Sequence, residues 1–376
     1  MSRPSLRRSL VSIHLYLGIA FGLFFSLLGV SGSVLVFYPE IDRLLNPELR
    51  LEAQQPAEIR YQALFDRLRQ QYPLRKGAWR IEVPRDPTQA VFARYLKPEE
   101  KDSGRFAPMI VALNPRTLEL INERFWGDDP MTWIYDLHYS LLMGSVGKSL
   151  VGAIGLIFLI TLCVGFYLWI PRGRASLGKI LPRIRAGSVK SIYDLHTYSG
   201  TYSAALLVML IVTGVGLATP QWISPIIDRF SHRWSVPVLE SRLPEQEVAR
   251  ISADRAIDAA RVKFPQAELR WIQSPVSASD VYFLRIKQPG EPSDRFPKTY
   301  VWIDQFSAEV ICFKDPLNAS SADVFFDWLH PLHNGEAFGF IGRVVIFFAG
   351  MIPLFLFVTG ICRWRQKVRS RAALIG

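Results

Sequence analysis

Four stretches of this 376-residue chain are apolar enough and long enough to cross a bilayer. They run from Ile13 to Tyr38, Ser149 to Ile170, Thr197 to Thr219 and Val344 to Cys362. A hydrocarbon core of about 30 Å needs roughly 20 residues of helix. Apart from tyrosine and cysteine, the titrating residues of these runs are two histidines, His14 and His196, at or beside their starts. A histidine is costly to place in lipid without a partner. The chain is 49% hydrophobic but still 20% charged, so much of it must lie outside the membrane.

Basic residues cluster beside the apolar runs. Arg3, Arg7 and Arg8 precede the first. Arg172, Arg174, Lys179, Arg183, Arg185 and Lys190 lie between the second and third, and Arg363, Arg365, Lys367, Arg369 and Arg371 follow the fourth. With four spans these places share one side, and the positive-inside rule makes it the cytoplasm. The net charge of +11 is thus assigned to a membrane surface and not to nucleic acid. Arg7-Arg8 could open a signal peptide, but the run after it exceeds an h-region of about 7–15 residues. The expected location is the inner membrane, multi-pass, with both termini cytoplasmic. Two loops, about Pro39 to Arg124 and Pro220 to Ser320, would face outward. Three cysteines form no evident disulfide framework, and no C-x-x-C-H motif for covalent haem occurs.

The chain reads as two copies of one design. Placing His196 on His14 also superposes Tyr198 on Tyr16, Gly200 on Gly18 and Gly214 on Gly32. Placing His333 on His138 superposes Gly339 on Gly144, Gly342 on Gly147, Arg343 on Lys148, Gly360 on Gly165 and Trp364 on Trp169. The loops match as well, with Arg295-Phe296 on Arg105-Phe106, Asp304 on Asn114 and Glu309 on Glu119. Each loop opens with a helical stretch, Ile59 to Tyr72 or Ala253 to Phe264. Alternating runs follow, such as Ala90 to Leu96 and Val281 to Ile286, with period-two patterning broken by turn residues. The fold class is therefore a membrane protein, mainly α in the bilayer. Its four transmembrane helices form a tandem parallel repeat of two, with two extracytoplasmic α+β modules. A repeat with an even number of spans keeps its orientation, so matched residues face each other at equal depth.

The divisions follow. Residues 1–38 hold the cytoplasmic N-terminus and first span, 39–130 the first outer module, and 131–171 the second span with its lead-in. Residues 172–190 form a basic cytoplasmic loop and 191–219 the third span. The second outer module occupies 220–322, the fourth span with its lead-in 323–364, and a basic tail 365–376.

Four of the six histidines pair through the repeat: His14 with His196 near the cytoplasmic face, His138 with His333 near the outer face. Facing imidazoles are a natural axial ligand pair for haem iron in a helix bundle. Zinc fits less well, since a closed zinc site wants four ligands. Glycines after each histidine would let a macrocycle approach the backbone, although glycines in membrane helices commonly serve helix packing. Lys148 and Arg343 are candidates to neutralise haem propionates, or else snorkel. His330, one turn before His333, is an alternative outer ligand. His138 stands ten residues before Lys148, about 15 Å along a helix, which would put the outer site at the membrane rim. His232 reads as an ordinary exposed or structural residue.

These residues carry a resemblance. The runs His14 to Gly18, Leu137-His138 with Gly144 and Gly147, and Pro331 to Gly335 resemble the PepSY-associated transmembrane proteins. So do Thr359-Gly360 ahead of Trp364 and the twinned outer modules. The resemblance implies bacterial iron acquisition, most like inner-membrane ferric-siderophore (ferrioxamine) reductases. It implies haem b, two per chain, a cytoplasmic or quinol electron donor, and a ferric siderophore reduced to Fe(II) at the outer face. Siderophore contacts would come from Trp126, Asp128, Asp129, Trp133, Tyr135, Asp323, Asp327 and Trp328, although interfacial aromatic belts also explain the Trp and Tyr. The lipid bilayer is a partner and nucleic acid is not. Two alternatives stay open: a siderophore or iron transporter, and a PepSY-type regulatory membrane protein without haem.

Overall fold

The computed structural model describes residues 6–51, 59–84, 86, 88–101, 106–170, 189–246 and 248–372. The basic stretch 172–188, the N-terminal Arg3 and the loop match at Arg105 lie outside the described residues. In chain order the elements begin with α1 (Leu6–Val36), α2 (Tyr38–Leu45), α3 (Tyr61–Gln71), β1 (Trp79–Glu82), β2 (Val91–Tyr95), β3 (Met109–Leu113) and β4 (Leu120–Phe125). Then come α4 (Pro130–Ser140), α5 (Gly144–Trp169), α6 (Val189–Tyr202), α7 (Ala204–Ala218) and α8 (Pro220–Ile227). The chain closes with α9 (Ala253–Lys263), β5 (Glu268–Gln273), β6 (Val281–Lys287), β7 (Thr299–Asp304), β8 (Val310–Lys314), α10 (Ser321–His333) and α11 (Gly339–Ala372). They divide into a helical unit (Met1–Phe37, Ile134–Ile223, Leu332–Gly376) and a sheet unit (Tyr38–Trp133, Ser224–Pro331).

In the helical unit, α1, α5 and the helix through Glu336–Ser370 are each long and apolar enough to span a membrane; α6 and α7 together make a fourth candidate bent by 57°. The expected continuous third span is thus broken. Ser199-Gly200 lies just before the break, and the Ser199 and Ser203 hydroxyls donate back to the carbonyls of Leu195 and Ser199, both at 2.6 Å. Such Gly/Ser sites and i−4 back-bonding are recognised causes of helix bending. Helix α1 packs along α11, where the Ser33 hydroxyl donates to the Phe347 carbonyl at 2.7 Å. Phe25 of α1 stacks on Phe158 of α5 with centroids 4.3 Å apart, and Leu162, Leu207, Ile211 and Val215 bury the contact of α5 with α7.

The lead-ins to α5 and α11 are helices in their own right. Helix α4 ends in Leu141 and Leu142, both at positive φ, and the chain turns into α5. Gly147 then lies so close to the Ser140 carbonyl that no side chain fits; Gly342 meets the Gly335 carbonyl in the same way. These matched glycines fold each lead-in back onto the helix that follows. The extrapolation from His138 to Lys148 along one continuous helix therefore fails, and His138 turns back beside α1.

In the sheet unit, the two expected modules are not separate. Their strands form one eight-stranded sheet in the order β4-β3-β2-β1-β5-β6-β7-β8, all neighbours antiparallel. The seam is β1 against β5, with Arg80, Ile81 and Glu82 opposite Gln273, Ile272 and Trp271. Alternation buries Trp79, Ile81, Val111, Ile272, Leu284 and Val301 on one face, beneath Leu64, Phe65 and Leu68 of α3 and Ala256 and Ile257 of α9. The two helices cap each other. The Asp254 carboxylate accepts from the Tyr61 and Gln62 amides at 2.8 and 3.1 Å, and Gln62 Oε1 accepts from the Ala253 amide at 2.9 Å.

Candidate functional site: two imidazole pairs in the helical unit

Helix α1 carries His14 and α6 carries His196; their ring centres lie 6.1 Å apart with planes at 80°. His138 on α4 and His333 at the end of α10 also stand 6.1 Å apart, at 43°. The repeat thus names which rings meet. Gly32, beside His138, lies 18 residues after His14 on α1, so roughly 27 Å of helix separates the two levels.

All four rings are held alike. The Nδ1 of His14 bonds the Thr161 carbonyl at 3.0 Å, and that of His138 the Leu28 carbonyl at 2.9 Å. His196 Nδ1 lies 3.1 Å from the Leu356 carbonyl and 3.0 Å from the Thr359 hydroxyl. His333 Nδ1 meets the Thr213 hydroxyl at 2.9 Å, and Ser31 adds a hydroxyl 3.1 Å from His138. A carbonyl can only accept, so Nδ1 of His14, His138 and His196 carries the proton and Nε2 keeps its lone pair. The Thr213 hydroxyl already donates to the Met209 carbonyl at 2.7 Å, which gives His333 the same tautomer.

A glycine backs each ring. A Cβ on Gly32 would lie 2.7 Å from His138 Cε1, on Gly165 2.8 Å from His14 Cε1, on Gly214 3.0 Å from His333 Cε1, and on Gly360 3.4 Å from His196 Cε1. These four glycines make room for imidazoles. Gly18, one turn after His14, has nothing within 4 Å of where its Cβ would sit. The arrangement recurs on four helices: a glycine, the carbonyl or hydroxyl one turn or one residue before it, and the histidine seated there. Sequence reasoning missed it, though the dipeptides Ser31-Gly32, Thr213-Gly214 and Thr359-Gly360 were its signal. Val164-Gly165 is the exception, and His14 accordingly has the Thr161 carbonyl in place of a hydroxyl.

The fit to haem iron can be tested on these distances. Two metal–imidazole bonds of about 2.0 Å plus two ring radii of about 1.1 Å put the ring centres about 6.2 Å apart in a bis-imidazole centre. Both pairs meet that spacing with the correct tautomer. Among the described residues no group of three or more His, Cys, Asp or Glu side chains could hold a metal ion. Axial ligation of a porphyrin asks for only two.

The other candidates fall elsewhere. His330 packs edge-on against Phe296 in the sheet unit, at 4.4 Å, while His333 meets His138. Arg343 donates to the Val36 carbonyl at 2.7 Å, at the C-terminus of α1, and stacks on Phe37 at 4.7 Å. Lys148 covers the Tyr139 ring at 4.4 Å. The acidic residues expected at a siderophore already have protein partners. Asp327 bonds Lys314 at 2.9 Å, and Asp128 bonds Lys101 at 2.9 Å. Asp323 accepts from the Trp234 amide, and Asp129 accepts from the Met131 and Thr132 amides. Trp126 stacks under Arg94 at 5.2 Å, whereas Trp133 and Trp328 are exposed.

Residues 11–367 match the PepSY-associated TM region. The chain belongs to the PepSY-associated transmembrane family. This PepSY-associated protein is multi-pass, and its spans and β-rich region suit an inner-membrane protein of that family. No curated protein matches it significantly.

Proposed function

We propose that His14 with His196, and His138 with His333, each hold the iron of one b-type haem. On this reading the protein is an oxidoreductase that passes single electrons across the inner membrane to a ferric siderophore. The observation that carries it is the matched pair of 6.1 Å imidazole separations, one at each level. When bound, the haems would supply reversible one-electron chemistry.

The chain's own part is to hold and tune. The carbonyls of Thr161, Leu28 and Leu356 and the Thr213 hydroxyl fix each ring's tautomer and rotation. Apolar packing, such as Phe25 on Phe158, keeps water out between the two levels. Under the positive-inside reading, His14 and His196 lie at the cytoplasmic level, where a quinol or a reduced cytoplasmic carrier gives up one electron. Ferric iron in the siderophore accepts it at the outer face and becomes Fe(II), which hard oxygen donors hold less well. A negative-inside potential favours outward electron movement by about 2.3 kcal/mol per 100 mV for a full crossing. Two equally spaced imidazole pairs support two sites over one.

The test is an absorption spectrum with haem quantitation on wild type, His14→Ala and His138→Ala. The expected result is a Soret band that shifts on reduction and returns on adding ferric siderophore, with one of two haems lost in each variant. Unchanged haem in both variants refutes the ligand assignment. A second reading is a haem-free transporter or PepSY-type regulator, which the family match accommodates equally. It requires the purified protein to be colourless.

A further inference from the structure

The face of the sheet away from α3 and α9 is basic and aromatic, which no outer surface of a simple sandwich requires. Across the seam, Arg94, Arg80 and Gln273 stand in one cross-strand row, and Glu82, Trp271, Arg285 and Tyr300 in the next. Arg80 is directly opposite Arg94, and like charges in that position repel. The cations around them are paired within the sheet unit. Arg94 meets Glu82 at 2.6 Å, Arg124 meets Asp42 at 2.9 Å and Lys314 meets Asp327 at 2.9 Å. Among the described residues, Arg80 and Arg285 have no carboxylate within 4.0 Å. Each leaves its Nε without a partner, and their remaining bonds go to neutral groups, the Gln273 amide oxygen at 3.0 Å and the Tyr300 hydroxyl at 3.2 Å. Lys298 approaches Asp327 no closer than 3.8 Å, and Lys314 already occupies that carboxylate.

Both guanidiniums lie over the same indole. Arg80 is 4.8 Å and Arg285 4.0 Å from the Trp271 ring, with Phe296 edge-on at 6.2 Å. Stacking holds the two forks in place with little entropy left to lose on binding. Burial presses both guanidiniums and the Lys298 ammonium below their usual values, so each cation is held in part-desolvated surroundings without full compensation. An anion at this point would relieve the cross-strand repulsion and offset the two guanidinium charges.

We infer that Arg80 and Arg285, astride Trp271, form the binding site for a net-anionic ferric chelate whose donors are carboxylate or catecholate oxygens. The inference rests on the reductase reading and narrows it, since cationic trihydroxamate chelates such as ferrioxamine would be disfavoured here. Bidentate contacts from arginine to such oxygens are strong and directional. The same anionic chemistry could reach the site from a phospholipid headgroup or a haem propionate, and the test separates these.

Binding is measured by equilibrium dialysis on the full-length oxidised protein in detergent, with ferric citrate as the anionic probe and ferrioxamine B as the cationic one. The expectation is at least about tenfold tighter binding of ferric citrate, and about tenfold loss in Arg80→Gln and in Arg285→Gln, with unchanged haem and phospholipid content. Arg80→Lys and Arg285→Lys, which keep the charge but lose the fork, should fall between. Equal binding of both probes, or Arg→Gln variants that bind as wild type, overturns the site. A drop in haem or in copurified lipid phosphate in those variants also overturns it, by assigning the anion to the cofactor or the membrane. No electron transfer is needed for this readout. A chelate that binds but is never reduced sinks the reductase reading alone, whereas reduction that ignores both arginines sinks the site alone.

Discussion

Gly32 and His138 are in contact across two helices: a methyl group on Gly32 would sit 2.7 Å from the imidazole Cε1. The other three pairs repeat the relationship with gaps rising to 3.4 Å at Gly360 and His196. Alanine at these four glycines should therefore grade in effect. Gly32→Ala and Gly165→Ala should displace their rings and cost about 1–3 kcal/mol of stability, and Gly360→Ala should be nearly silent. Melting temperature and haem content per protein, measured across the series, check the order. An equal effect at all four sites would rule out ring seating as their role.

The hydroxyls beside three of the histidines carry a second expectation. Thr213→Val leaves His333 its Leu210 carbonyl, as Ser31→Ala leaves His138 its Leu28 carbonyl. Loss of an outer-shell partner typically costs about 10–100-fold in metal affinity. With a carbonyl acceptor kept in each, both Thr213→Val and Ser31→Ala should fall at or below the lower end of that range. Haem titration of apoprotein and the midpoint potential of each site report the difference.

Lys314 and Asp327 form an ion pair at 2.9 Å, each side chain only 10% exposed. Removing one partner strands a buried charge. Lys314→Met should cost about 3–5 kcal/mol, and the double change Lys314→Met with Asp327→Leu should recover much of it. Denaturant melts of the four-member cycle provide the measurement, and additive costs would show the pair to be uncoupled.

Acid should act on the two halves of the sheet unequally. Burial alone would raise the Asp304 carboxyl, but the amides of Ser307, Phe306 and Arg242 outweigh it and hold the group below its usual value. Its folded pKa is thus lower than its unfolded one. The stabilisation is complete above about pH 4 and fades as pH falls through the folded value. The matching turn in the first half uses neutral Asn114, which accepts from the Arg116 amide at 3.0 Å. Asp304→Asn should cost about 1 kcal/mol at pH 7 and progressively less as pH falls through the folded value, as followed by circular dichroism. A cost independent of pH would mean that the charge plays no part.

Much of this architecture could be read from residue order alone. Apolar runs located the spans because lipid leaves few other options for such segments. The matched sequence patterns named the imidazoles that meet, His14 with His196 and His138 with His333. What escaped was non-local. Nothing in Ala90 to Leu96 or Val281 to Ile286 announces that the two sets of strands join through β1 and β5. That pairing depends on edges hundreds of atoms apart. The bend after Ser199-Gly200 was encoded locally but masked by the apolar run around it. Choosing between His330 and His333 turned on the end of α10, where a proline at 331 sits inside the helix and only the later ring meets His138.

The β1–β5 seam has an evolutionary meaning. Ile81 faces Ile272 at the middle of an antiparallel pairing between corresponding edge strands of the two halves. That is the isologous contact two identical chains make about a twofold axis. A single-copy ancestor could have assembled as a homodimer through this edge, and fusion into one polypeptide would then have freed each half to diverge. Arg80 and Trp271, the equivalent positions flanking the Ile81–Ile272 pair, already differ.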